Sequence, residues 1–383
     1  MQRDTALTFR DIHGSEEALI ASIKKIERIA LVRNPEKVPL RLRFVTPYYS
    51  SKTCADFALT PAHRYQPGED YVTVSYTWAH AQSDEGQQVP DYRIWDLAEP
   101  GAPPRPIRCP KMVFHRAMLF AQARKCPYVW IDQECINQQD PTDIERHLQV
   151  MDRIYSDSRW TVAVLSCNIA NVTLLDRFKP ILDILAEPCT LLENERQPID
   201  RLVRYITQDR WFSRTWTFHE KNCAKSLALL IPTVGCTSSE ETLRYASIGS
   251  DLCVDIDLFY AFGFLNQTNI NDREFEQYFF RRSRFEENIM PGPHEVFGDM
   301  EKCDNSVTAD RLAIFANISG LKIKLNSTAL TTPEFSYSTC ILALVLANLW
   351  SQDDAQEDSF DGMRLLPVKT NSIVARASTP DSG

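Results

Sequence analysis

The residues best suited to chemistry gather in three places. Ser75, Tyr76, Thr77 and Trp78 end one apolar, β-branched run. Asp132 to Asn137, with Cys135 among them, follow a second. Trp216 stands four residues before Glu220 in the third. A carboxylate held in place, such as Glu220 or Asp132, can stabilise positive charge that builds on a sugar ring and can bind the ring's hydroxyls. The rings of Tyr76, Trp78 and Trp216 can stack on a flat heterocycle. Cys135 with His147 or His219 has the residue types of a nucleophile and its base, but a Cys and a His in one sequence are weak evidence for such a pair. Each of these residues also has a plainer reading. Glu220 can salt-bridge Arg214 or Lys221, Asp132 can accept backbone N–H groups at a strand end, and the tryptophans can be core. Asn137 and Gln138 sit in a turn, where such side chains bond to backbone.

Other chemistries have no signature here. No two of the 12 glycines are spaced G-x-G, so the dinucleotide fingerprint and the P-loop are both absent. Neither H-E-x-x-H nor the G-x-S-x-G elbow of a serine hydrolase occurs. The 11 cysteines are odd in number and form no C-x-x-C pair. Scattered reduced thiols are therefore expected, with no metal site and no disulfide framework. A net charge of −9 argues against nucleic acid as a partner. The first 14 residues hold no apolar run of signal-peptide length, and the longest apolar stretch, 340–350, is too short to span a bilayer. A cytoplasmic protein with no membrane span is the expectation, and the sequons at Asn171, Asn266, Asn317 and Asn326 read as coincidence.

The elements that must position the three clusters follow from periodicity. Ser15 caps a helix over 15–30, whose Leu19, Ile23, Ile26 and Ala30 share one face. An alternating strand covers 38–46, and Pro47, Pro61 and Pro67 punctuate the connection after it. A strand over 71–78 leads into a long loop, 81–107, with room for a short hairpin. Pro110 opens a helix over 110–125. A buried strand at 128–132 is followed by a turn-rich loop and an amphipathic helix over 143–158. A third strand covers 160–166, with helical stretches at 172–187 and 198–207, and a fourth covers 227–232. From 233 onward the pattern is mostly helical, and the tail beyond Pro367 is expected to be disordered. Strand, helix, strand, helix, strand implies parallel strands joined by right-handed crossovers. Ligands of such sheets bind at the carboxyl ends of the strands, where the first two clusters lie. The helix that carries Glu220 should start toward the same crevice.

Three blocks carry a resemblance. YVTVSYTW (71–78), VWIDQECINQQDPTDIERHLQVMDRIYSDS (129–158) and RWFSRTWTFHE (210–220) resemble, in order, the signature blocks of the fungal heterokaryon-incompatibility (HET) domain. Ala79 stands where that family commonly has glycine. The segment CDNSVTADRLAIFANISGLKIKL resembles the region that often follows such domains. HET domains are in turn distantly similar to TIR domains. VTVSYTW resembles the first TIR strand, VAVLS a later one, and Trp216 to Glu220 fits the TIR W-x-x-x-E spacing with Thr217 in place of Cys. The resemblance implies an α/β fold, a TIR/flavodoxin-like parallel sheet flanked by helices with a mostly helical C-terminal region. It divides the chain into a flank (1–65), a HET domain (66–235) with an insertion at 168–207, a helical region (236–367) and a disordered tail (368–383). It implies a role in programmed cell death. Glu220 would then be catalytic in cleaving NAD at the nicotinamide–ribose bond, with Tyr76, Trp78, Asp132, Cys135, Asn137 and Trp216 binding the substrate. NAD would be substrate, with no further cofactor. The alternative it implies is a non-catalytic assembly module. Partners would be a second copy of the chain or other death-signalling proteins.

Overall fold

A computed structural model describes residues 1–33, 39–48, 55–64, 70–79, 89–169, 201–233, 247–265 and 292–357. The helix expected at 172–187 and the tail expected beyond 367 lie outside the described residues. The strands are β1 (Leu31–Arg33), β2 (Arg41–Leu42), β3 (Val45–Pro47), β4 (Asp56–Leu59), β5 (His63–Arg64), β6 (Tyr71–Ser75), β7 (Arg93–Asp96), β8 (Arg105–Pro106), β9 (Tyr128–Trp130), β10 (Trp160–Val164), β11 (Leu227–Pro232), β12 (Ser247–Ile248), β13 (Asp251–Asp255) and β14 (Ile323–Leu325). The helices are α1 (Phe9–His13), α2 (Glu16–Ala30), α3 (Lys111–Ala123), α4 (Asp132–Cys135), α5 (Pro141–Leu148), α6 (Met151–Asp157), α7 (201–207), α8 (Arg210–Ser213), α9 (Thr215–Cys223), α10 (Ile256–Leu265), α11 (Pro293–Met300), α12 (Asp310–Ile318) and α13 (Tyr337–Glu357).

The main sheet runs β12-β13-β11-β10-β6-β9-β3-β4-β7-β8. Its centre, β11-β10-β6-β9, is parallel. Every residue of β6 is buried, as a strand covered on both faces requires. The sheet flanked by helices is the expected α/β arrangement, and around its parallel centre it is mixed. β13 runs antiparallel to β11, and β3 runs antiparallel to both β9 and β4. The hairpin allowed for in the long loop is β7 with β8, and β7 also pairs with β4. Past 233 the described residues are largely helical, as expected, but β12–β13 extends the sheet and β14 pairs with β1.

Alternation along the strands sorts side chains between two cores. Val162, Val164 and Leu230 belong to the larger cluster. Ala163, Leu165, Leu229 and Ile231 face the smaller one, with Trp211, Leu202 and Phe259. The larger cluster runs from Ile26 of α2 through the sheet to Leu312 of α12 and Leu344 of α13. The ends of this core meet, since Asp4 accepts hydrogen bonds from the backbone and hydroxyl of Ser338 at the start of α13.

The turn-rich loop after β9 opens with a helical turn, α4. One local expectation changes. The single helix expected over 143–158 is broken at Gln149 and Val150 into α5 and α6, with Val150 at φ −127°. The carbonyls at the break are taken by the C-terminal region. Asn317 Nδ2 donates to Leu148 O at 3.0 Å, and Lys324 Nζ donates to Gln149 O at 2.6 Å.

Candidate functional site

The four parallel strands follow the spatial order second, first, third, fourth, which is that of flavodoxin-like sheets. The order reverses between β6 and β10, and sheets of this order bind ligands at the carboxyl ends of the strands beside such a reversal. β6 ends at Ser75. Odd-numbered residues of β6 point to the face that carries α6 and α9. Tyr71 donates to Ile154 O at 2.7 Å, Thr73 meets Thr161 at 2.8 Å, and Ser75 donates to Glu220 Oε2. The acid of the third cluster therefore sits at the tip of the first strand.

What brings Glu220 there is a chain of caps. Asp209 accepts from Trp211 N at 2.9 Å, which starts α8, and from the backbone of Ser166 and Cys167 at 2.7 and 2.6 Å. One buried carboxylate thus ties the end of β10 to the helix turn ahead of α9. Thr217, where the TIR pattern has Cys, is buried and donates to the carbonyls of Trp211 and Arg214, fixing α9 against α8. Trp211 is 1% exposed, and its Nε1 donates to Ser75 Oγ at 2.7 Å. Glu220 keeps part of its surface open. Burial nonetheless pushes its pKa from 4.5 up to about 8, against the hydrogen bonds from Ser75 and Tyr155 and with the help of the Asp132 charge. Near neutrality the carboxyl is mostly protonated. Tyr155 is raised well above 10, first by burial and then by the charges of Glu220 and Asp132.

At the end of the second strand lies the other acid. Asp132 Oδ1 accepts from Tyr76 at 2.6 Å and from Gln133 N at 2.7 Å, and its Oδ2 accepts from Trp78 Nε1 at 2.7 Å. Burial raises its pKa, and the bonds from Tyr76 and Trp78 offset part of that rise. Tyr76 is buried, while Trp78 is 53% exposed and, among the described residues, is held through its indole N–H by Asp132.

Residues 71–220 match the family model described as heterokaryon incompatibility protein (HET). The chain carries a HET domain. The matched stretch begins on β6 and ends on the acid that β6 touches. No curated protein and no solved structure matches the chain.

Not every expected residue of the HET domain joins this site. Cys135 points into the core. It is 1% exposed, its sulfur lies against Ile131 N and Val129 O, and burial pushes its thiol up to about 12, so it offers neither a ligand contact nor a thiolate. The pairing of Cys135 with a histidine fails likewise. His147 is buried on the Asp143 carbonyl, and His219 meets Cys223 at 3.5 Å with its own pKa pushed down to about 3 by burial. Asn137 is spent on its turn, where its Oδ1 accepts from Gln139 N at 3.2 Å and its backbone N–H caps onto Asp143. Trp216 turns to the C-terminal region and donates to Asp310 at 3.1 Å. Ser75 belongs to the first cluster, whereas Tyr155 and Trp211 are contributors that residue type and spacing do not single out. A serine inside an otherwise apolar strand was the available signal, since a buried hydroxyl needs a partner.

Proposed function

We propose that the HET domain is the effector of a heterokaryon-incompatibility cell-death response and that it hydrolyses NAD at the nicotinamide–ribose bond, with Glu220 as the catalytic residue. The observation that carries the reading is the place of Glu220. It is the carboxyl of a half-buried residue at the switch point of a flavodoxin-order sheet, hydrogen-bonded to the last residue of the first strand. The W-x-x-x-E likeness to catalytic TIR domains supports the same role. Loss of nicotinamide leaves oxocarbenium character on the ribose, and an ionised Glu220 would stabilise it. The leaving group departs neutral and needs no acid. The cationic pyridinium of bound NAD would itself favour the ionised form of Glu220. Trp78 would supply an indole face to a ring of the dinucleotide, with Asp132 and Tyr76 holding the indole in place.

The test is nicotinamide release from NAD by the full-length chain, with Glu220→Ala as the comparison. Turnover should fall at least a hundredfold in the variant, and the cell killing caused by expression should fall with it. A second reading is an assembly module without turnover. The neutral state of Glu220 near pH 7 favours it, because a protonated carboxyl held by Ser75 and Tyr155 can serve purely to join α9 to the sheet. Killing that survives Glu220→Ala, with no nicotinamide released by either protein, would select the module.

A further inference from the structure

The hydrogen bonds around Glu220 have a direction that chemistry imposes. An indole N–H can only donate. Trp211 Nε1 donates to Ser75 Oγ, so that oxygen is already an acceptor. A serine hydroxyl has one hydrogen, and of the side-chain partners of Ser75 Oγ among the described residues Glu220 Oε2 is the one that can accept it. A buried hydroxyl left without an acceptor is costly, so the Ser75 proton points at Oε2. An oxygen that receives this bond cannot donate a proton back along it, which places the carboxyl proton on Oε1.

We infer that Trp211 and Ser75 form a one-way relay that keeps Oε2 of Glu220 a permanent acceptor, so that Oε1 is the oxygen that gains and loses the proton. Ser75 is a positioning residue in this arrangement, and Trp211 gives the relay its direction. Tyr155, the other hydrogen-bond partner of the carboxyl, is reversible by contrast. Its hydroxyl can donate to an ionised Glu220, or turn to Val74 O at 3.4 Å and accept from a protonated one. The other groups whose charge reaches Glu220 are Asp132 on α4, which opposes ionisation, and Arg214 ahead of α9, which favours it. The Cys223 thiol on the same helix is pushed up chiefly by burial and stays neutral beside it. The inference goes beyond the proposed activity, because it concerns the ionisation of the acid whatever the substrate.

The experiment is an NMR titration of the full-length chain. It follows the Glu220 side-chain carbon, assigned by its loss in Glu220→Gln, and the Trp211 indole N–H. In the wild-type protein the Trp211 signal should move with the same midpoint as Glu220, since ionisation tightens the Ser75 bond and polarises the one behind it. Ser75→Ala should raise the Glu220 midpoint by about one pH unit, a tenfold gain in proton affinity. Ser75→Thr should restore it. Trp211→Phe should raise it by less, because the serine is then free to turn. A Trp211 signal that stays flat through the Glu220 midpoint overturns the relay. That reading needs no variant, so a Ser75 variant that fails to fold does not rescue the idea. A midpoint unchanged in a folded Ser75→Ala protein overturns it as well. Absence of NAD turnover would leave both results standing, which separates this inference from the proposed activity.

Discussion

Glu220 binds a proton more tightly in the folded chain than in the unfolded one, about pH 8 against 4.5. The sign of the linkage follows from that order. Between these values the native state holds the proton and the unfolded state has lost it, so stability falls as pH rises toward 8 and levels off above it. Glu220→Gln has no proton to lose. Its stability should equal wild type below about pH 4.5 and exceed it at pH 8.5, by roughly 2–5 kcal/mol. Urea unfolding at the two pH values measures this, and parallel losses in both proteins would refute the raised pKa. Trp78 offers a separate test. Its ring is exposed and contributes little to the core, so Trp78→Ala should leave the melting temperature within a few degrees of wild type. On the proposed activity it should raise KM for NAD about tenfold with a smaller change in kcat. An unchanged KM would remove Trp78 from the site.

At the scale of elements, the break between α5 and α6 shows how one region dictates another's secondary structure. Glu145 is buried on α5 and accepts from Ser327 N at 3.1 Å, Ser327 Oγ at 2.9 Å and Thr328 N at 3.1 Å. Lys324 reaches back to Gln149 O and Asn317 Oδ1. An acid near the start of a helix can simply complement the positive end of its dipole. The structure makes Glu145 the acceptor that joins α5 to the segment after β14. Glu145→Ala would strand buried backbone donors at Ser327 and Thr328 and should cost about 2–4 kcal/mol in urea unfolding. Glu145→Gln keeps an acceptor oxygen and should cost less than half as much. Equal losses in the two variants would mean that packing, rather than hydrogen bonding, holds the joint.

Over the whole molecule, the HET match ends at residue 220, but the core does not. Leu312, Phe315, Tyr337 and Leu344 share one apolar cluster with Val72, Trp130 and Tyr155. β13 covers the edge of β11 along five residues, and the buried Arg116–Asp251 pair bonds the ends of β10 and β11 through Leu165 O and Leu230 O. A chain ending at residue 233 would expose that edge and that apolar surface together. It should be insoluble or lack a cooperative unfolding transition, whereas the full chain should show one. A sharp, dispersed amide spectrum from residues 1–233 would contradict this. Among the described residues no helix is long and apolar enough to cross a membrane.

The sequence by itself determined what local chemistry can encode. Ser15 and Pro110 mark helix starts because capping and the missing proline N–H act within one turn. The mostly apolar runs at 71–78, 160–166 and 227–232 announce buried strands because apolar side chains fall on both faces. The three blocks announced the HET domain. Only the tertiary structure decided which polar residues meet. Ser75 and Glu220 are 145 residues apart in sequence, so their contact depends on strand order and the pitch of α9. Cys135 and Tyr76 both belong to strand-end clusters in the sequence, yet the turn of α4 aims the thiol into the core while the tyrosine hydroxyl reaches Asp132. β13, the break at Val150 and the seat of Trp216 on Asp310 all depend on partners far along the chain. Periodicity reports which face of an element is apolar, whereas the group that satisfies a buried polar atom is chosen by packing.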